Sequence, residues 1–306
     1  MKAAKSFQTI RKNSPVPLVA DIHFDYRLAI AAIDAGADKI RINPGNIGSE
    51  ERVRYVLDAA RSAHIPIRIG VNSGSLEKEI IAKYHGVTAE GLAESALKAA
   101  AYAQELGFDD IVVSLKSSDV SMCHKSNKIF ASMSDLPIHI GLTESGFGKE
   151  GEIKSVAAAS ALLLDGIGDT IRVSLTGDPV QEVLLAKRIL KACGIRKGGI
   201  DFVSCPTCGR TEVDLEKIAS EVKEKLMPCS QILEKQSRSI RVSVMGCVVN
   251  GPGEAREADL GVAFGDGNGV LIRKGEIVGH GAYEEILRRL VDESNAILEG
   301  RNRITV

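Results

Sequence analysis

The residues most suited to metal or redox chemistry are cysteines in two glycine-containing turns. Cys205 and Cys208 lie in Ser-Cys-Pro-Thr-Cys-Gly-Arg (204–210), and Cys247 follows about forty residues later in Met-Gly-Cys-Val-Val-Asn-Gly-Pro-Gly-Glu (245–254). Thiolates spaced in this way can hold zinc or an iron–sulfur cluster, or can form a redox-active dithiol. Structural zinc needs four ligands, and no histidine is close to Cys247 in sequence. The spacing therefore favours an iron–sulfur cluster, with zinc, a dithiol and buried structural cysteines as the alternatives.

A carboxylate in the second turn could complete such a site. Three thiolates on a four-iron cubane leave one iron without a cysteine ligand. Glu254 stands seven residues after Cys247, beyond glycines that allow the backbone to fold back. A carboxylate is displaced more easily than a thiolate, so Glu254 is a candidate for both ligand and catalytic residue. We also expect a helix that begins near Thr211, with Thr211 and Asp214 as a capping box, to direct its positive end at the cluster.

Two kinds of domain must position these groups. Short apolar runs alternate with Ala- and Leu-rich helical stretches at 16–24, 38–45, 65–72, 109–116, 136–144 and 169–177. Strands alternating with helices predict a parallel α/β sheet. We therefore expect a TIM-type (β/α) barrel over 1–194 that binds the substrate, with six strands of the usual eight. Residues 195–306 predict a small α+β iron–sulfur domain, with a hairpin whose tip is Asp-Gly-Asn-Gly (266–269).

Cations on the predicted strands indicate an anionic ligand. The period of two places each of them on the face opposite apolar residues of its strand, usually near the carboxyl end: Arg41, Arg68, Lys116 and Arg172. Active sites of barrels lie at that end. Buried cations are costly unless a partner neutralises them, and guanidinium groups suit phosphate. The alternative is a set of internal salt bridges to Asp21 and Glu144.

Together the motifs resemble the 4-hydroxy-3-methylbut-2-enyl diphosphate synthase family of the non-mevalonate isoprenoid pathway. The resemblance extends over essentially the whole chain and rests on the two cysteine turns together with VADIHFDYRLA, KIRINPGNIG, IRIGVNSGSL and GLTESG. It implies a [4Fe–4S] cluster bound through Cys205, Cys208, Cys247 and Glu254. It also implies the substrate 2-C-methyl-D-erythritol 2,4-cyclodiphosphate, a small anion of the kind that the cations require.

The implied reaction is a reductive dehydroxylation, and it suggests a role for each residue at the predicted barrel mouth. The four cations would clamp the diphosphate, with hydrogen bonds from Asn43, Asn72 and Ser174. Asp21 would position a substrate hydroxyl, Glu144 would donate or accept a proton, and Thr143 would orient the same region. His139, low in its strand, is expected to be a core residue whose hydrogen bonds are satisfied. The other cysteines are expected to be structural: Cys123, Cys193 and Cys229.

The resemblance and the composition together suggest partners and location. Nothing resembles a nicotinamide-binding fingerprint, so flavodoxin or ferredoxin is the expected electron donor. The family implies a homodimer in which the barrel of one chain meets the cluster module of the other. A net charge of −1 gives no reason to expect nucleic-acid binding, and no apolar run is long enough for a membrane span. With no apparent secretory signal, we expect a cytoplasmic enzyme.

Two further expectations concern the class of protein and the barrel. The competing class is a zinc-stabilised, non-redox barrel protein with a cysteine-rich interaction module. The family pattern also places two more βα units before the first strand seen here. We therefore expect a chain shortened at its N-terminus, with an open or distorted barrel and low activity.

Overall fold

A computed structural model describes residues 2–247, 253, 255–265 and 267–300 of the 306-residue chain. The chain divides into two compact units, Met1–Cys193 and Gly194–Val306. Across the described residues, no helix has both the length and the apolar character that a membrane crossing requires.

The first unit alternates strands with helices. Each of the six predicted apolar runs contains a strand: β1 Val19–Asp21, β2 Lys39–Ile42, β3 Ile67–Asn72, β4 Ile111–Lys116, β5 His139–Ile140 and β6 Thr170–Ile171. The helices are α1 Lys2–Asn13, α2 Tyr26–Asp34, α3 Pro44–Ile47, α4 Glu50–Ala63, α5 Lys78–Tyr84, α6 Ala89–Glu105, α7 Val120–Ala131, α8 Gly148–Leu164 and α9 Pro179–Ala192.

The strands of the first unit pair in chain order and all in parallel. Strands β1 to β4 form one sheet, and β5 pairs with β6. A bridge between Val113 and Ile138 joins β4 to β5. Within the residues described for this unit, β1 and β6 are each paired on one side. The order and direction of the strands confirm the predicted α/β class with parallel sheets.

Alternate residues of these strands pack against the helices and form the core. Ile40, Ile67 and Ile69 are almost fully buried, and so are Leu92 and Ala96 on α6. Small residues on α6 let the helix approach the sheet closely, and the Thr88 hydroxyl accepts a hydrogen bond from the Gly91 amide at its first turn. Burial of each large apolar side chain stabilises the fold by about 1.5–3 kcal/mol. The opposite face of each strand is left for polar groups.

The second unit is a mixed sheet covered by two long helices. Its elements are β7 Gly199–Ser204, α10 Leu215–Lys235, β8 Ser239–Met245, β9 Leu260–Gly265, β10 Asn268–Arg273, β11 Glu276–Ala282 and α11 Tyr283–Leu298. The sheet order is β11-β10-β9-β8-β7, with β7, β8 and β9 parallel and β10 antiparallel to both of its neighbours. Residues of α10 and α11 such as Leu226 and Leu290 pack with Val242 and Val262 of the sheet. The predicted hairpin is formed by β9 and β10.

Candidate functional site

The strand register of the first unit arranges polar side chains in three tiers on the face opposite the helix core. In the lower tier Asp21 pairs in register with Arg41, and Arg41 with Arg68. In the middle tier Gly70 pairs with Ser114, and His139 with Thr170. The bridge between β4 and β5 places Ser114 next to His139. In the upper tier Asn72 pairs with Lys116, and Arg172 follows Thr170 by two residues.

Arg41 is held in the lower tier by a carboxylate. Its side chain is buried, and Nη1 donates to Asp21 Oδ1 over 3.0 Å. The same nitrogen lies 3.4 Å from His23 Nε2. The guanidinium passes over Gly70, where an added Cβ would lie 2.5 Å from Arg41 Nε. The absent side chain at Gly70 therefore makes room for Arg41, and Asp21 supplies one of the internal salt bridges that the sequence allowed.

Arg68 is buried among like charges. Burial lowers the pKa of its guanidinium, Asp21 opposes the effect, and Arg41 and Arg172 lower the pKa further. Its Nε is buried without a hydrogen-bond partner among the residues that the structure describes. Arg68 therefore presents a buried donor on the polar face of the strands.

Lys116 in the upper tier has a strongly perturbed ammonium group. It is 6% exposed, and burial lowers its pKa to about 7, with further lowering by Arg172, Arg68 and Arg41. Asp21 acts in the opposite direction but does not cancel these effects. The mutual influence of the cations shows that the predicted set does converge on one place. It also shows that the site carries more positive charge than its own carboxylates offset.

The loops after β5 and β6 form the upper rim of this site. Arg172 and Glu144 are exposed there, and Thr143 and Ser174 are half-buried. Glu144 has φ of 54°, a left-handed conformation that costs a residue with a Cβ about 1–2 kcal/mol. No ion pair of Glu144 is found within the described part of the chain. The Thr143 amide donates to the Ser117 carbonyl over 3.1 Å, and the Ser174 carbonyl accepts from the Ser145 hydroxyl.

The two predicted asparagines occupy different positions. Asn43 is buried and caps α3, since its Oδ1 accepts from the Gly45 amide over 3.1 Å. Its Nδ2 donates to Ser75 Oγ over 2.8 Å, so the side chain also ties together the loops after β2 and β3. Asn72 ends β3 and is half-buried. The structure therefore gives Asn43 an architectural task that the sequence pattern did not reveal.

The expectation that His139 is a satisfied core residue is wrong in one respect. The ring is 6% exposed and its Nδ1 lies 2.8 Å from Thr170 Oγ1, but Nε2 is buried with no partner among the described residues. Burial lowers the His139 pKa to about 2, and Lys116, Arg68 and Arg172 contribute to the shift. The imidazole is therefore neutral. Its position on the same strand face as the cations was the signal that could have shown it as a site residue.

The cysteine turns of the second unit meet at one end of the sheet. Cys205 and Cys208 follow β7, and Cys247 follows the parallel neighbour β8. The Gly246 amide donates to Cys205 Sγ over 3.4 Å, so the two turns are in contact. The Cys208 amide donates to Thr211 Oγ1 over 3.0 Å. Hydrogen bonds from Arg210, and then from Thr211, lower the pKa of the Cys208 thiol.

The predicted helix start at Thr211 is wrong. Helix α10 begins at Leu215, and Asp214 is its N-cap, accepting from the Lys217 amide over 3.1 Å. Thr211 is instead used locally, because its hydroxyl accepts from the Cys208 amide. An added Cβ at Gly246 would lie 2.9 Å from the Thr211 methyl carbon, so this threonine also fills the space between the cysteine turns.

Comparison with known proteins decides the family. The model of the GcpE TIM-barrel domain matches residues 1–187, and that of the GcpE protein C-terminal domain matches 201–296. The 4-hydroxy-3-methylbut-2-en-1-yl diphosphate synthase (flavodoxin) of Caldanaerobacter subterraneus subsp. tengcongensis is 54% identical over 95% of this chain and 80% of its own length. The protein of the same name from Fusobacterium nucleatum is 49% identical over 100% of this chain and 81% of its own length. The chain belongs to the GcpE family.

Membership confirms the family resemblance and the TIM-barrel type of the first unit. Among solved structures, a type I 3-dehydroquinate dehydratase from Clostridium difficile aligns with a TM-score of 0.43 at 13% identity. That alignment covers 63% of this chain and 75% of the other. A likeness at this level adds nothing to the family assignment.

The cysteine turns have the donor chemistry that an iron–sulfur member of the GcpE family needs. Three thiols lie in two contacting turns, and hydrogen bonds favour the thiolate of Cys208. Two of the other cysteines differ, since burial raises the pKa of Cys123 to about 11 and also raises that of Cys229. Glu254 lies outside the described residues. Within the described ranges, no group of three or more His, Cys, Asp or Glu side chains is already gathered as a metal site.

Proposed function

We propose that this protein is a 4-hydroxy-3-methylbut-2-enyl diphosphate synthase. It converts 2-C-methyl-D-erythritol 2,4-cyclodiphosphate to 4-hydroxy-3-methylbut-2-enyl diphosphate in non-mevalonate isoprenoid biosynthesis. In this reaction the cyclic diphosphate opens at C2, the C3 hydroxyl leaves as water, and two electrons are taken up. The observation that carries the proposal for the substrate is the convergence of Arg41, Arg68, Lys116 and Arg172 on the polar face of the parallel strands, with excess positive charge.

In this proposal the four cations bind the diphosphate, and their orientation and burial support that role. Arg41 is oriented in advance by Asp21, which reduces the side-chain entropy lost on binding. Arg68 and Lys116 are buried among like charges, so an incoming dianion relieves a repulsion that the unliganded protein carries. Guanidinium groups add bidentate hydrogen bonds to phosphate oxygens.

Residues at the rim act on the remainder of the substrate. Glu144 is exposed at the mouth and donates or accepts the proton that accompanies loss of water. Thr143 and Ser174 flank it and orient the same region, and Asn72 binds from the end of β3. Asp21 positions a substrate hydroxyl with the carboxylate surface that Arg41 leaves exposed. Asn43 contributes through the loops that it holds together as well as by direct hydrogen bonding.

The second unit holds the redox group in this proposal. Cys205, Cys208, Cys247 and Glu254 are the residues that would hold a [4Fe–4S] cluster. When bound, the cluster supplies electrons and Lewis acidity to the reaction. The name of the relatives supports flavodoxin as the electron donor that reduces the cluster, with ferredoxin as the alternative. The active form would be a homodimer, and the six parallel strands would serve as an open arc of the TIM-type barrel.

Anaerobic purification followed by a turnover assay tests the proposal. The protein should be brown, with broad absorbance at about 400 nm, and should contain iron and sulfide. With reduced flavodoxin it should convert the cyclodiphosphate to the linear alkenyl diphosphate, and ³¹P NMR should detect this conversion. A colourless protein with stoichiometric zinc and no turnover would instead support the zinc-stabilised barrel.

A further inference from the structure

Three buried polar atoms on neighbouring strands lack a hydrogen-bond partner in the described part of the chain. They are Arg68 Nε on β3, Ser114 Oγ on β4 and Nε2 of His139 on β5, none with a hydrogen bond to any described residue. Each residue is at least nine-tenths buried. Gly70 pairs with Ser114 in register, and the bridge from Val113 to Ile138 places Ser114 beside His139. The unpartnered atoms therefore belong to one continuous part of the strand face, just below Lys116.

Such atoms are expensive to bury, because each loses its bonds to water without gaining others. Native proteins leave few of them, and those that remain often mark a place where a ligand or an ordered water binds. Here the three lie on adjacent strands within the cationic site. A single occupant could therefore satisfy all of them.

The chemistry of Arg68 identifies the occupant as an acceptor. Guanidinium Nε can only donate, so its partner must present an oxygen lone pair. The Ser114 hydroxyl can also donate to that oxygen or to its neighbour. His139 can do so from Nε2 if the Thr170 hydroxyl donates to Nδ1, which leaves the proton on Nε2. The low pKa of His139 is consistent with a neutral imidazole in this role.

We propose that Ser114 and His139 are additional diphosphate-binding residues, in the middle tier between Arg68 below and Lys116 above. Ser114 Oγ–H, His139 Nε2–H and Arg68 Nε–H donate to phosphate oxygens of the bound cyclodiphosphate. Thr170 is a positioning residue that selects the Nε2–H tautomer. This inference rests on the proposed function, since it names further contacts of the same substrate.

Calorimetric titration with the cyclodiphosphate tests the contact. His139→Leu should weaken binding about ten-fold, and Ser114→Ala should weaken it by a similar or smaller factor. His139→Gln should recover most of the affinity, because its amide nitrogen can reach the position of Nε2. Matched controls are His124→Leu, at a histidine that pairs with Asp165 on the surface, and Ser95→Ala, at a buried serine bonded to Glu77. Both controls should bind as the wild type does.

Nitrogen NMR of histidine-labelled wild-type protein provides a measurement that needs no variant. The His139 resonances should show the Nε2–H tautomer, and Nε2 should shift when the cyclodiphosphate binds. In Thr170→Val this preference should weaken and the affinity should fall. The inference would be overturned if His139→Leu bound the cyclodiphosphate with wild-type affinity, or if the chemical shift of His139 Nε2 did not change on binding. Either result would indicate that water occupies the middle tier. Failure of the wild type to bind the cyclodiphosphate would instead refute the proposed function.

Discussion

Substrate binding should be coupled to proton uptake by Lys116. Burial and the facing cations Arg172, Arg68 and Arg41 hold its pKa at about 7, with Asp21 opposing them and His139 neutral beside them. A bound dianion offsets the repulsion and moves the pKa back towards the ordinary value for lysine. At pH 8 a group with a pKa of about 7 is roughly one-tenth protonated, whereas the liganded group is almost fully protonated.

The size and sign of the effect follow directly. Binding should take up about 0.9 proton at pH 8, about 0.5 at pH 7 and about 0.1 at pH 6. Because the complex holds more protons than the free protein, the affinity should fall as pH rises above 7, by up to about ten-fold per pH unit. The ligand itself does not contribute, since each phosphorus of the cyclic diphosphate carries one strongly acidic hydroxyl that stays ionised throughout this range.

Isothermal titration calorimetry in buffers of different ionisation enthalpy measures the uptake. At pH 8 the binding enthalpy should vary with buffer, with a slope near 0.9 proton per ligand, and Lys116→Met should reduce that slope to near zero. Lys125→Met is the matched control, because Lys125 is exposed on the neighbouring helix α7, and its slope should equal that of the wild type. A slope near zero in the wild type, or an unchanged slope in Lys116→Met, would refute the assignment of Lys116.

Four further predictions concern the remaining groups. Arg68→Ala should weaken cyclodiphosphate binding by about ten- to a hundred-fold, since a charge-assisted hydrogen bond is worth roughly 1.5–3 kcal/mol; unchanged calorimetric affinity would contradict this. Glu144→Gln should reduce turnover with little change in affinity, and a large loss of binding would show that it contacts the ligand instead. Gly70→Ala should destabilise the fold by about 1–3 kcal/mol in thermal unfolding and should weaken binding in calorimetric titration, because the added Cβ collides with Arg41. The control Gly74→Ala has open space around it and should change neither the stability nor the affinity. Substitution of serine for Cys205, Cys208 or Cys247 should reduce the iron and sulfide content of the protein. The same substitution at Cys123, Cys193 or Cys229 should leave that content unchanged, and equal losses in all six variants would contradict the assignment of the cluster ligands.

Local sequence pattern was sufficient for the class of fold and for the face on which the site lies. Arg41 stands between Ile40 and Ile42, and the period of two in a strand assigns them to opposite faces before any tertiary contact is known. The cysteine spacing likewise indicated which thiols share a turn. These inferences depend on covalent geometry and nearest neighbours, which are the same in any fold that contains the strand.

The tertiary structure decided the partners and the charge states. The salt bridge from Asp21 to Arg41 and the passage of Arg41 over Gly70 depend on register between strands distant in sequence. So does the position of His139 Nε2, which has no hydrogen-bond partner in the part of the chain that the structure describes. The pKa of Lys116 depends on burial and on three cations from other strands. Those cations are too distant in sequence for the residues around Lys116 to reveal them. Thr211 has the local pattern of a helix cap but bonds to Cys208, because Asp214 caps α10 and the cysteine turn brings a competing amide to the hydroxyl. Periodicity specifies which face a side chain occupies, whereas non-local packing specifies what it meets there.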